Sequence, residues 1–136
     1  MVLRSENVPV SPKPAILIVD DDDMIRSYLS MILRQEGYVI AGEVGDVPRA
    51  RKVLSQKPVS VVFLDINLPG QDGLSALKDI HAEYPTVHVI MISSDATSEN
   101  VKSAIAQGAQ GFVTKPFAAD KVIQATQRAL VIKKVS

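Results

Sequence analysis

Three aspartates, a serine and a lysine stand where short apolar runs of the chain end. Asp20 and Asp21 follow Ala15–Val19, Asp65 follows Val59–Leu64, Ser93 follows Val87–Ile92, and Lys115 follows Gly111–Thr114. Runs of this length bounded by polar residues read as buried strands. In an open parallel sheet a ligand site lies beyond the carboxyl ends of the strands. Three carboxylates, one hydroxyl and one ammonium are therefore expected to converge at one end of the sheet. Singly, each has a plainer reading: Asp20 to Asp23 as an acidic turn capping a helix, Asp65 as a strand-end carboxylate, Lys115 as a surface lysine. Together they pose an electrostatic problem, because two carboxylates about 4 Å apart repel by about 4 kcal/mol at an effective dielectric near 20. A proton or a cation must relieve that repulsion. Oxygen donors without cysteine or a pair of histidines suit a hard ion, Mg²⁺ or Mn²⁺. Mg²⁺ held by a few carboxylates commonly completes its shell with water and a phosphate-bearing substrate, which points to phosphoryl chemistry.

The elements that must position these groups are legible from periodicity. Ile25, Tyr28, Leu29 and Ile32 fall at helical spacing, with Gly37 placed as a C-terminal cap. Asp46 is a suitable N-cap for a helix carrying Ala50, Val53 and Leu54, and Pro48 is tolerated in its first turn. Leu74, Leu77 and Ile80 mark a third helix. Val101, Ala104 and Ile105 mark a fourth, ended by Gly108, and Val122, Ile123, Thr126, Ala129 and Leu130 mark a fifth. Tyr38–Val44, the least apolar run, suits an edge strand. Arg128, Lys133 and Lys134 complement the dipole of the last helix. Five strands alternating with five helices predict an α/β fold, a doubly wound parallel sheet covered on both faces.

Composition sets the outer limits. The chain has 136 residues, 46% hydrophobic and 22% charged, which suits one folded domain. Residues 1–13 lack periodicity and read as a disordered leader, leaving 14–134 for the domain. Lys+Arg and Asp+Glu both number 15, so no positive excess speaks for nucleic acid or an anionic membrane. Cysteine is absent, which excludes a disulfide framework, a thiolate zinc site and a cysteine nucleophile. No apolar run is long enough to span a membrane and the start lacks a signal-peptide core, so a cytoplasmic chain is expected. His81 and His88 stand away from the strand ends and from each other, and neither is expected to act in catalysis or metal binding.

With these motifs in place, the sequence resembles the receiver (response regulator) domain of two-component signalling over Pro14 to Lys134. The resemblance is carried by Ile16-Leu17-Ile18-Val19-Asp20-Asp21, by Val62-Phe63-Leu64-Asp65-Ile66-Asn67-Leu68-Pro69-Gly70-Gln71-Asp72-Gly73, by Ser93-Ser94 and by Lys115-Pro116-Phe117. It implies a flavodoxin-like (βα)5 fold with strand order 2-1-3-4-5. It further implies that Asp65 is the phosphoryl acceptor, that Asp20, Asp21, Asp65 and the backbone carbonyl of Asn67 hold Mg²⁺, that Ser93 hydrogen-bonds the phosphoryl group, and that Lys115 pairs with one of its oxygens. In relatives the peptide before the equivalent proline is often cis. The implied donor is a sensor histidine kinase or a phosphotransfer protein, and the implied output is a downstream protein or a second copy of the chain. Such a chain is a self-phosphorylating switch rather than an enzyme that turns over an external substrate.

The same resemblance places the output on the face of the fourth helix, fifth strand and fifth helix, with Phe112 as the aromatic that turns inward behind the serine. Phe112 stands where a tyrosine is frequent, Ala118 where an acidic cap is common, and Val59 where aspartate is frequent. The resemblance also implies that Asn67 and Asp95, two residues after Asp65 and Ser93, flank the path of an attacking water. Two other readings compete. A degenerate receiver used as a binding scaffold would lack an acidic-pocket residue, and all are present. A Mg²⁺-dependent aspartyl-phosphate hydrolase would need a second Asp two residues after the nucleophile, where this chain has Asn67. A dinucleotide-binding domain is disfavoured because no Gly-x-Gly-x-x-Gly follows the first run.

Overall fold

The computed structural model describes residues 14–131. The expected leader, Lys133 and Lys134 lie outside the described residues. In chain order the elements are β1 (Ala15–Val19), α1 (Asp23–Gln35), β2 (Val39–Val44), α2 (Val47–Gln56), β3 (Val61–Asp65), α3 (Gly73–Glu83), β4 (His88–Ser93), α4 (Ser98–Ala106), β5 (Gly111–Thr114) and α5 (Ala119–Val131). The five strands pair in parallel in the order β2-β1-β3-β4-β5, the expected flavodoxin-like topology.

Successive residues of a strand point to opposite faces, so a sheet covered on both sides needs apolar residues at nearly every position. That is why β1, β3 and β4 read as unbroken apolar runs. Leu17, Val19, Val62, Leu64, Val89 and Met91 pack on one face against Val47, Ala50 and Leu54 of α2, Ala76, Leu77 and Ile80 of α3, and Ala104 of α4. Ile16, Ile18, Val61, Phe63, Ile90, Ile92 and Val113 pack on the other face against Leu29, Ile32 and Leu33 of α1 and Val122 and Ala129 of α5. Phe63, at the centre of the second face, is fully buried.

The helix ends follow local chemistry. Asp22 caps α1, its carboxylate accepting from the N–H groups of Met24 and Ile25 at 2.9 and 3.4 Å. Asp46 caps α2 through the N–H of Arg49, and Thr97 caps α4 through the N–H of Asn100. Gly37 and Gly108 follow α1 and α4 with φ of 89° and 107°, where a side chain would be strained. The boundaries differ from expectation in an informative way. β3 begins at Val61 instead of Val59 and includes Asp65, and β4 begins at His88 and includes Ser93. The polar residues at the strand ends thus remain hydrogen-bonded members of the sheet. A small antiparallel hairpin, Asn67–Leu68 with Gln71–Asp72, was not expected from periodicity because two-residue strands carry none.

Candidate functional site

Backbone bonds between neighbouring strands bring the loop-bearing ends of β1, β3, β4 and β5 to one edge. The N–H of Asp20 donates to Val44 O at 3.0 Å, that of Ile66 to Ile92 O at 3.1 Å, and that of Lys115 to Ser93 O at 2.8 Å. The strand ends are therefore staggered by the sheet itself, which fixes where each side chain starts. After β3 the chain turns sharply back. Gly73 opens α3 against this turn, its N–H donating to Ile66 O at 2.6 Å, and a Cβ there would stand 2.2 Å from Asp65 O. Only glycine permits that approach. The Asp72-Gly73 pair is the sequence signal for it, Asp72 capping α3 through the N–H of Leu74.

At this edge Asp20, Asp21 and Asp65 each place a carboxylate oxygen within 4.8 Å of the others. Asp20 is fully buried and Asp65 nearly so, whereas Asp21 is exposed. Lys115 Nζ lies 2.8 Å from Asp20 Oδ2 and 3.3 Å from Asp65 Oδ2, bridging the two buried acids. Toward Asp20 this contact has the proximity of an ion pair without the direction of a hydrogen bond, so the buried Oδ2 has charge compensation but no directed donor. Asp20 Oδ1 accepts from Asp22 N at 2.8 Å, and Asp65 Oδ1 accepts from Asn67 N at 3.1 Å.

Burial pushes the Asp65 carboxyl above its ordinary range; the N–H of Asn67 and the Lys115 ammonium oppose this, and the Asp20 charge reinforces it. For Lys115, burial works against the ammonium, but the close carboxylate of Asp20 and then that of Asp65 outweigh it and hold the group above its ordinary value. A single ammonium thus serves two desolvated carboxylates, with a third beside them. This donor set, all oxygen with one buried oxygen lacking a directed partner, fits a hard divalent cation. It offers few protein ligands and one exposed side, the arrangement in which Mg²⁺ retains water or takes a phosphate oxygen.

Ser93 is fully buried at the end of β4, and its Oγ accepts from Asp95 N at 2.9 Å. Its hydroxyl proton is then available to a further acceptor. Asn67 follows Asp65 by two residues with its side chain exposed. The Lys115–Pro116 peptide is cis, as the resemblance implied. Phe112 is half-buried against the core and lines a groove of about 540 Å³ with Pro116, Phe117, Lys121 and Arg128. His81 and His88 lie apart from the cluster: the ring of His81 packs against Gly108, and His88 is buried at the start of β4. Periodicity gave no role to Arg26, whose guanidinium reaches the backbone of Asp20 from α1.

The model of the response regulator receiver domain matches residues 16–127. An NtrX-like response regulator of Rickettsia bellii is 41% identical over 125 residues, covering 88% of this chain and 25% of its own length. The chain thus spans about a quarter of that relative. The chemotaxis protein CheY of Listeria monocytogenes is 36% identical over 114 residues, covering 84% of this chain and 96% of CheY. Among solved structures, the receiver domain of NtrX from Brucella abortus superposes with a TM-score of 0.80 at 38% identity, over 87% of this chain and 99% of that one.

Proposed function

The chain belongs to the response regulator receiver domain family, whose members are signalling domains and not turnover enzymes, and from that premise we propose that it is a Mg²⁺-dependent phosphoacceptor switch with Asp65 as the acceptor. The observation that carries this reading is the Lys115 ammonium shared by two buried carboxylates, Asp20 and Asp65, with Asp21 beside them. Asp20, Asp21 and Asp65, with the carbonyl of Asn67, would hold Mg²⁺; Mn²⁺ has the same preference for oxygen donors. When bound, the ion neutralises phosphoryl oxygens and so lowers the repulsion between donor and acceptor.

Asp65 needs no general base, because its carboxylate supplies the electron pair itself. One of its oxygens attacks phosphorus in line, an O–P bond forms, and the P–N bond of a phosphohistidine donor breaks with its electron pair returning to the imidazole nitrogen. The product is an acyl phosphate. Lys115, already poised between the two acids, pairs with an equatorial oxygen as negative charge arrives. The free hydroxyl proton of Ser93 is donated to another. The donor is a sensor histidine kinase or a phosphotransfer protein. Movement of Ser93 toward the phosphoryl group, with Phe112 turning in behind it, would convert a local charge event into a change on the α4–β5–α5 face, where a downstream protein or a second copy docks. Residues 14–134 act as one receiver unit. Among the described residues no helix is long and apolar enough to cross a membrane, and we place the reaction in the cytoplasm.

Beryllofluoride, which mimics a phosphoryl group on a carboxylate, tests the site directly. It is expected to bind at Asp65 only when Mg²⁺ is present and to perturb the amide signals of Ser93 and Phe112. Binding without Mg²⁺, or undiminished binding to Asp65→Asn, would overturn the assignment.

A further inference from the structure

We propose that Arg26, on the first turn of α1, is a positioning residue that fixes the Asp20–Asp21 peptide and thereby prepares both carboxylates for a divalent cation. The inference rests on reading Asp20, Asp21 and Asp65 as Mg²⁺ ligands. Each polar group of Asp20 faces a different residue, three by hydrogen bonds and Oδ2 by ion-pair proximity alone. Its N–H donates to Val44 O at 3.0 Å, its Oδ1 accepts from Asp22 N at 2.8 Å, and its Oδ2 faces Lys115 Nζ at 2.8 Å. Its carbonyl accepts from Arg26 Nη1, while Arg26 Nη2 pairs with the carboxylate of Asp23.

The guanidinium therefore joins the last residue before Asp21 to the first residue of α1. It spans the turn that carries the exposed ligand Asp21. The Arg26 side chain is 19% exposed, so its bond to the Asp20 carbonyl is partly shielded from competing water, whereas the Asp23 carboxylate at the other prong is 89% exposed. Its other wall is Gly45: a Cβ there would stand 3.4 Å from Nη1, 3.7 Å from Asp21 Cα and 3.8 Å from Asp20 O. The absence of a side chain at Gly45 leaves room for the guanidinium and the acidic turn to lie side by side. A planar group with donors at fixed angles suits two acceptors held in fixed relation, which a lysine cannot reproduce.

The position of Arg26 makes the idea testable by sign. A positive charge beside the acids opposes a second cation, so on charge alone its removal would tighten Mg²⁺ binding. If its main effect is to hold the turn, removal weakens binding. The variants are Arg26→Met, which keeps the apolar stem and loses the charge and donors, and Arg26→Lys, which keeps the charge and loses the fork. Mg²⁺ affinity is measured by isothermal titration calorimetry, and amide hydrogen exchange at Asp22 is followed in the metal-free protein, with thermal melts to establish that each variant folds. Arg26→Met is expected to bind Mg²⁺ about tenfold more weakly, the lower end of what loss of a group bonded to a metal ligand costs. Arg26→Lys should fall between it and the wild type, and Asp22 should exchange faster in both. Mg²⁺ binding by Arg26→Met that equals or exceeds the wild type overturns the proposal. If the wild-type chain binds no Mg²⁺, the metal assignment fails and exchange decides alone: unchanged protection of Asp22 overturns the positioning role, and faster exchange upholds it.

Discussion

Asp20 and Asp22 are the same residue type two positions apart, yet they lie in regions governed by opposite physics. Asp22, at the start of α1, is exposed and gives its carboxylate to two helix N–H groups that would otherwise lack partners. There a negative charge is favourable, since it meets the positive end of the helix and keeps most of its hydration. Asp20, at the end of β1, has no exposed surface and shares one ammonium with a second buried carboxylate. There the charge has lost its water and repels its neighbour, so it is retained at a cost to stability. The difference teaches where stability and function part company in this fold. Carboxylates at the helix start hold the architecture, and carboxylates at the strand ends hold unspent attraction for a cation.

The sharpest way to break this contrast is to remove the acceptor. Asp65→Asn is expected to abolish phosphorylation by a small phosphodonor, a loss of more than about a hundredfold in rate, because the amide has no electron pair to match the carboxylate's. Phosphate incorporation followed by mass spectrometry reads this out, and persistence of Mg²⁺-dependent labelling would show that another residue is the acceptor.

Next in size is the effect of the ion on stability. At a Mg²⁺ concentration about 100-fold above its dissociation constant, the folded chain should gain about 2.7 kcal/mol against urea unfolding. The same concentration should give Asp20→Asn far less. Equal gains in both proteins would remove Asp20 from the ligand set. Asp22→Ala, by contrast, should lose about 1 kcal/mol of stability for want of its cap while keeping most of its Mg²⁺ affinity. A large loss of Mg²⁺ binding in that variant would erase the distinction between the two regions.

The smallest expected effect is on pH dependence without metal. Because burial raises the folded-state pKa of Asp65, the folded protein holds that proton more tightly than the unfolded chain. Stability from this group is therefore greatest in acid and is lost as pH rises from the ordinary value of 3.8 through the raised one. Asp65→Asn should flatten that decline and so lose less stability between acid and neutral pH than the wild type. Lys115 acts at the other end of the scale, where its raised value contributes stability below 10.5 that is lost as pH climbs through the folded-state value. Urea titrations of both proteins across the acidic limb would reveal parallel curves if Asp65 were not the group responsible.

Much of this is legible in the sequence, and the reasons are physical. A strand buried on both faces must be apolar throughout, so β1, β3 and β4 are visible as runs and their ends as the places where polarity resumes. The caps Asp46 and Gly108 are local, since each satisfies or relieves the backbone within a few residues. The hairpin of two-residue strands that begins at Asn67 escaped because so short a ladder leaves no periodic mark. Gly73 entered the sequence reading only as the last residue of the motif around Asp65, although its lack of a Cβ is what lets α3 close on Asp65.

By itself, then, the sequence determined the alternation of elements, the covered sheet, and the identity of the five polar residues at its strand ends, because each depends on neighbours close along the chain. Only the tertiary structure decided that Lys115 bridges Asp20 and Asp65 from 50 residues beyond the latter, that Asp20 is buried while Asp21 is exposed, and that the Arg26 guanidinium reaches the Asp20 carbonyl. Those are distances across the sheet edge, fixed by the register of parallel strands and the packing of α1, and no local pattern of residues encodes them.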